Sequence, residues 1–275
     1  MTGKSIPWAR IMAPVAGGPG DRAVIEAAAV LAGPFDAEVT AVYAPADVAD
    51  LMPWMGDGFM GGVQVAAVES LKEAAAEGRG AAEAAFAASA YAKKSFIALD
   101  SPVWSSLSMH SRLSDLVVFD NDAARGKGPL AQVFQQMIAA EQRPVVVARA
   151  GLDPSGVMAV AWDGGKEASR AMRTALPLLQ RAKAVHIVAC CAASPRVFDV
   201  EALKAFLKAR GVGAEATLVD GAGEVGGQLL KAARDLGASL FVAGAYGHPR
   251  LQEFIFGGAT KAFLNADGPS LFLSH

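Results

Sequence analysis

The residues best placed to do chemistry are glycines. Gly244, Gly247 and Gly257 stand with two residues and then nine between them, and Gly258, Ala259 and Thr260 follow directly. They lie in the stretch Leu240 to Lys261, LFVAGAYGHPRLQEFIFGGATK, which opens on an apolar run short enough to be a buried strand. Glycine lets a backbone approach a ligand closely and take positive φ, so consecutive amides can converge on one point. A strand, a glycine-rich turn and a helix start near Thr260 would together make an anion cradle, because unpaired N–H groups and the helix dipole both favour negative charge. His248 and Arg250 fall inside the nine-residue span and Lys261 one turn into the helix, each able to reach a phosphate or to face solvent. Ordinary turn glycines would give the same letters, so the spacing must be weighed with its surroundings.

Those surroundings are two similar series of elements. In the first, Arg10 to Val15 is a strand, Arg22 to Leu31 a helix and Glu38 to Ala44 a second strand. Pro45 to Gly62, rich in Asp, Met and Gly, is a connection that covers apolar surface or forms a lid; its methionines lack a His or Cys neighbour for a copper site. Gln64 to Lys94 is an alanine-rich helix with Gly78 and Gly80 as soft points, followed by strands at Phe96 to Leu99, Asp115 to Phe119 and Val145 to Ala148. Helices over Val103 to His110 and Leu130 to Ala140 separate them. Arg149 to Gly156, RAGLDPSG, has linker composition, which sets domains at 1–150 and 151–275. The order then restarts: Val157 to Gly165 lines up with Arg10 to Gly18, and strands follow at Val185 to Cys190, Ala216 to Val219, Leu240 to Ala243 and Leu271 to Leu273. Alternating strands and helices predict an α/β fold with parallel sheets and right-handed crossovers, built twice.

The glycine spacing, with Gly257-Gly258-Ala259-Thr260 and a short helix and strand after it, resembles the nucleotide-binding signature of the universal stress protein family. The resemblance covers nearly the whole chain and implies two adenine-nucleotide-binding, Rossmann-like domains. Each would have a five-stranded parallel sheet flanked by helices, and the two would pair about a pseudo-twofold axis through Val145 to Ala148 and Leu271 to Leu273. It implies an adenine nucleotide, ATP, ADP or AMP and with Mg²⁺ where it carries one, bound at Asp163, Cys190, Gly244, Gly247, Gly257, Gly258, Ala259 and Thr260. Asp163 would read the adenine or its ribose side: a carboxylate ending a buried strand can accept from an exocyclic amine, which selects adenine over guanine. Its competing reading is the N-cap of a helix starting near Lys166. Cys190 stands where the family usually has a valine whose backbone meets the base. Gly258 departs from the family's usual Ser or Thr and removes one hydroxyl from the phosphate, while Thr260 matches a threonine often found there.

The first half departs further. Its strands align the four glycine positions with Asp120, Ala123, Gln132 and Val133, and the adenine-reading Asp with Ala16. Asp120 and Asp122 put negative charge where phosphates would lie, so this half is expected to be a degenerate partner and each chain to bind one nucleotide.

Composition sets bounds on these readings. Hydrophobic residues are 53% and charged residues 19% of the 275, consistent with sheets buried on both faces. A net charge of −2 offers no basic field to nucleic acid. Cys190 and Cys191 are adjacent in a strand, so their side chains point apart and no bridge is expected between them. The N-terminus, MTGKSIPWAR, has no apolar core of signal-peptide length and no apolar run approaches a membrane span, which predicts a cytoplasmic protein without a membrane partner. No residues form a convincing catalytic or metal site. The leading expectation is a binding or regulatory protein with at most slow ATP hydrolysis, a homodimer being left open. Its rivals are a nucleotide-free interaction module and an ATP-pyrophosphatase-type enzyme, whose Ser-Gly-Gly-x-Asp-Ser loop Ala16 to Asp21 matches without either serine.

Overall fold

The computed structural model describes residues 7–45, 61–99, 103–190, 199–220, 224–245 and 258–275, and its chain divides into two compact units. Ala9–Phe134 is one. Met1–Trp8 with Gln135–His275 is the other.

The first unit holds β1 (Arg10–Val15), α1 (Asp21–Ala32), β2 (Glu38–Tyr43), α2 (Gly61–Ala88), β3 (Lys94–Ala98), α3 (Val103–Arg112), β4 (Leu116–Phe119) and α4 (Asn121–Ala124). α5 (Ala131–Ala139) begins in this unit. Its strands run in the order β3-β2-β1-β4, all parallel. β1 is an unbroken apolar run, Ile11 to Val15, because helices cover a parallel sheet on both sides and no position alternates toward water. α1 presents Val24, Ile25, Ala28, Leu31 and Ala32 to the sheet at helical spacing. Phe119 and Phe134 meet edge to face at 5.3 Å.

In the second unit β5 (Val145–Val147) is followed by β6 (Val157–Trp162), α6 (Lys166–Leu179), β7 (Ala184–Cys190), α7 (Val200–Lys208) and β8 (Ala214–Val219). α8 (Val225–Asp235), β9 (Leu240–Gly244), α9 (Gly258–Asn265) and β10 (Ser270–Ser274) complete it. Strands β10-β9-β6-β7-β8 form the expected five-stranded parallel sheet. β5, last strand of the first half by sequence, lies antiparallel to β10, with Val145 opposite Leu273 and Val147 opposite Leu271. The two last strands therefore meet as the resemblance implied. Trp8 stacks on Phe272 beside this pair, with centroids 6.3 Å apart.

One helix departs from its expected character. α2 runs through Gly78 and Gly80 without interruption. Gly78 is a notch in the helix: a Cβ there would stand 2.7 Å from Tyr43 Oη, and one built on Gly17 would stand 2.3 Å from Gly78 Cα. Tyr43 Oη donates to the Ala75 carbonyl at 2.6 Å. Ala82 sits fully buried one turn on, in a cluster with Val15, Ile25, Ala41 and Tyr43. α2 thus lies backbone to backbone on the loop that leaves β1, and glycine at both contacts is what permits the approach. Gly17 also has φ of +80°. Gly17→Ala should therefore cost about 2 kcal/mol or more, from left-handed strain plus displacement of α2. A urea midpoint lowered at unchanged slope is the expected result, and an unchanged midpoint would contradict the contact.

Candidate functional site

In an open α/β sheet a ligand crevice forms at the carboxyl edge, where consecutive connections leave in opposite directions. In the second unit that switch point lies between β6 and β9, whose neighbours on the far sides are β7 and β10. Register brings three expected site residues to this edge. Val160 pairs with Val242, and Trp162 with Ala189, so Asp163 and Cys190 follow directly on paired residues and Gly244 ends the strand alongside. The start of α9 reaches the same edge through α8, which begins shortly after β8 ends. A Cβ on Gly226 would stand 2.8 Å from Ala259 Cα, so the two helices touch at their N-terminal turns. At its other end α9 is fixed by Phe263, edge to face with Phe241 at 5.0 Å.

Each position has a distinct environment. Asp163 is exposed, and its Oδ1 accepts the Gly165 amide at 2.7 Å. Gly165, not Asp163, is the N-cap of α6, and no side chain caps that helix. Asp163 therefore holds the turn with one oxygen and leaves the other without a hydrogen bond among the described residues. Cys190 is buried, its thiol unbridged. Gly258 and Ala259 are exposed in the first turn of α9, and among the described residues a Cβ on Gly258 would meet nothing within 4 Å. Thr260 is buried, and Lys261 is exposed. Gly247, Gly257, His248 and Arg250 lie outside the described residues, as do residues 46–60 of the cover segment.

Gly244 has a packing reason to be glycine. A Cβ there would stand 2.6 Å from the Ala168 amide nitrogen and 2.8 Å from Glu167 Cβ, so the end of β9 is pressed against the first turn of α6. Glu167 is buried at this contact, with Lys166 Nζ 3.4 Å from its Oε1. Sequence spacing alone could not separate this glycine from one that faces a ligand. It also gave no sign of Trp162 Nε1, a buried indole donor at the end of β6 with no acceptor among the described residues. A buried donor left unpaired is uncommon and costs free energy, which makes it a place to look for a ligand acceptor.

The first unit has the same edge and closes it. Its switch point lies between β1 and β4. Asp21, buried at the start of α1, accepts the Ala16 amide at 3.1 Å and the Gly17 amide at 2.7 Å. The amides that would face an anion are thus held by the chain's own carboxylate. Asp120 caps α4 by accepting from Ala123 N at 2.7 Å, and its Oδ2 lies 2.6 Å from where a Cβ on Gly20 would be. α2 covers the loop from above. Burial, with Asp120 close by, pushes the Asp21 carboxyl above its ordinary range, partly offset by the amides of Ala16, Gly17 and Gly18.

Compared with known proteins, the chain matches no family model and no curated protein. Solved structures do match. A universal stress protein from Archaeoglobus fulgidus DSM 4304 superposes with TM-score 0.62 at 15% identity, covering 96% of this chain and 95% of that one. The chain has the universal stress protein fold. A functionally unknown protein from Pseudomonas aeruginosa PAO1 superposes with TM-score 0.55 at 13% identity, over 97% of this chain and 92% of that one. Both cover the full tandem, so the universal stress protein fold accounts for the two series of elements together and not for one half alone.

Two outcomes follow for the edge. Gly244→Ala must push α6 off β9 and should cost about 1–3 kcal/mol, seen as a lowered thermal midpoint; a neutral result would mean that this packing is not as tight as it stands. For Asp21 the sign is fixed by the raised carboxyl. Its contribution to stability is fully present below the ordinary value of 3.8 and is lost as pH rises through the higher folded-state value. Stability of the wild type relative to Asp21→Asn, by urea titration at a series of pH values, should therefore fall as pH rises from below 3.8. A difference that is flat or rises over that window would show that the amides outweigh the burial.

Proposed function

We propose that this chain is a universal stress protein that holds one adenine nucleotide, ATP, ADP or AMP, at the carboxyl edge of its second half and acts by binding in a stress or regulatory role. The observation that carries the proposal is the convergence of Gly244, Asp163 and Cys190 on the ends of three adjacent strands at a topological switch point. Among the described residues, the room beside Gly258 and the unpaired indole N–H of Trp162 both suit an occupant. The uncapped start of α6 suits one as well.

Roles follow from the donor and acceptor set. The free oxygen of Asp163 accepts from the adenine amine or a ribose hydroxyl. Backbone amides at Gly258, Ala259 and Thr260 face the phosphates, and Lys261 lies near enough in sequence to add charge. Cys190 offers its backbone to the base, while its buried thiol stays out of the chemistry. In this reading Mg²⁺ enters as the nucleotide's own companion. The pyrophosphatase alternative is weakened at its own loop, because Asp21 and α2 already occupy the amides after β1. The interaction-module alternative draws on Gly244, whose glycine is explained by packing alone.

Heat-denaturing the purified chain and separating the released small molecules should give an adenine nucleotide in a ratio of about one per chain. Calorimetry with MgATP should show Asp163→Ala weakened roughly 10-fold or more, the scale of a hydrogen bond to a charged group. Gly258→Ser has open space for its hydroxyl and should bind the triphosphate more tightly. No released nucleotide and no heat with ATP, ADP or AMP would leave the interaction module as the function.

A further inference from the structure

β8 ends the sheet of the second unit. It pairs with β7 along its whole length, from Ala214 opposite Val185 to Val219 opposite Cys190, and its other edge carries no described strand. Glu215, Ala216 and Leu218 are exposed, while Ala214, Thr217 and Val219 are half-buried. Leu218 is 57% exposed, the one large apolar strand residue so open among the described residues.

The corresponding edge of the first unit is treated differently. Every residue of β3 is half-buried. Phe86, near the end of the 28-residue α2, packs on Phe96 of β3 at 5.5 Å, and Lys94 Nζ is drawn back onto the Phe86 carbonyl at 2.7 Å. In the second unit the element before the edge strand is α7, nine residues long, with only Leu203 and Leu207 buried. β8 has no proline or lysine, its one charged residue is Glu215, and its ladder with β7 shows no bulge.

We infer that β8 is a homodimer interface, pairing antiparallel with β8 of a second copy about a twofold axis through Thr217. The sequence AEATLV is self-complementary in that register. Ala216 faces Leu218 of the second copy, and Leu218 faces its Ala216, so the exposed apolar residues cover each other twice. Glu215, the strand's single charge, faces Val219 and not its own copy, so no like charges oppose. A residue on the axis pairs with itself whether its N–H and C=O point outward or toward β7, so the register does not depend on that detail. A twofold contact of this kind closes on itself and cannot propagate along the edge. The ladder is short against a standard interface, so association is expected to be weak and concentration-dependent.

Sedimentation velocity of the full chain over a concentration series tests this. The wild type should pass from monomer to dimer, Leu218→Lys should weaken dimerisation at least tenfold with an unchanged circular dichroism spectrum, and Val30→Lys, exposed on α1, should behave as wild type. Thr217→Cys, placed on the axis, should cross-link to a dimer under mild oxidation, while Met109→Cys, exposed on α3, should not exceed the wild type. A wild type that stays monomeric throughout, a dimer indifferent to Leu218→Lys, or a Thr217→Cys chain that cross-links no better than Met109→Cys would overturn the assignment.

Discussion

The amides of a loop that leaves a buried parallel strand have no strand neighbour to bond, and in a sheet buried on both faces little water reaches them. The rest of the structure is arranged around how those amides are met at the two switch points. After β1 they are met from within: the Asp21 carboxylate takes those of Ala16 and Gly17, and α2 lies across them. After β6 the internal answer is partial, since Asp163 takes the Gly165 amide and no side chain caps α6.

Both units also pack one acid against one glycine at the switch point, with the two exchanged. In the first, Asp120 at the end of β4 lies against Gly20 at the start of α1. In the second, Glu167 at the start of α6 lies against Gly244 at the end of β9. The volume is conserved and the charge is moved. With the acid on the strand end, the first crevice is filled where the phosphate signature would begin; with it on the helix, the end of β9 is left as bare backbone. On the Gly244 side the close atoms are backbone, which leaves no room for a methyl, whereas on the Gly20 side the close atom is the end of the Asp120 side chain.

Much of the fold was legible because buried parallel strands are unbroken apolar runs. Arg10 to Val15 was delimited to the residue, and β2, β7 and β9 to within one. Periodicity found α2 but misjudged Gly78, since a glycine that weakens a helix and a glycine that lets a helix touch a loop look alike until the partner is known. Asp21, the first residue of α1, turns its carboxylate back onto the β1 loop, a contact that spacing does not announce. At the site, Asp163 and Gly244 were placed correctly on the edge, yet the contact between Gly244 and α6 could not be inferred from spacing. Trp162 was invisible for a related reason: whether a buried indole has an acceptor is a property of three dimensions.

The C-terminal end of α9 shows how the segment between the halves bears on the site. The Arg149 guanidinium donates to the Phe263 carbonyl at 2.8 Å and the Pro269 carbonyl at 3.2 Å, and its backbone amide bonds Ser270 Oγ at 3.0 Å. Phe263 is in the last turn of α9, where unpaired carbonyls and the negative dipole end welcome a cation. α9 is thus pinned at its far end by a residue of the linker and at its near end by the notch at Gly226. A helix fixed at both ends presents its first-turn amides in one place. Arg149 sits in a stretch that composition marks only as a linker, RAGLDPSG, but its side chain makes that stretch part of what holds α9 in place.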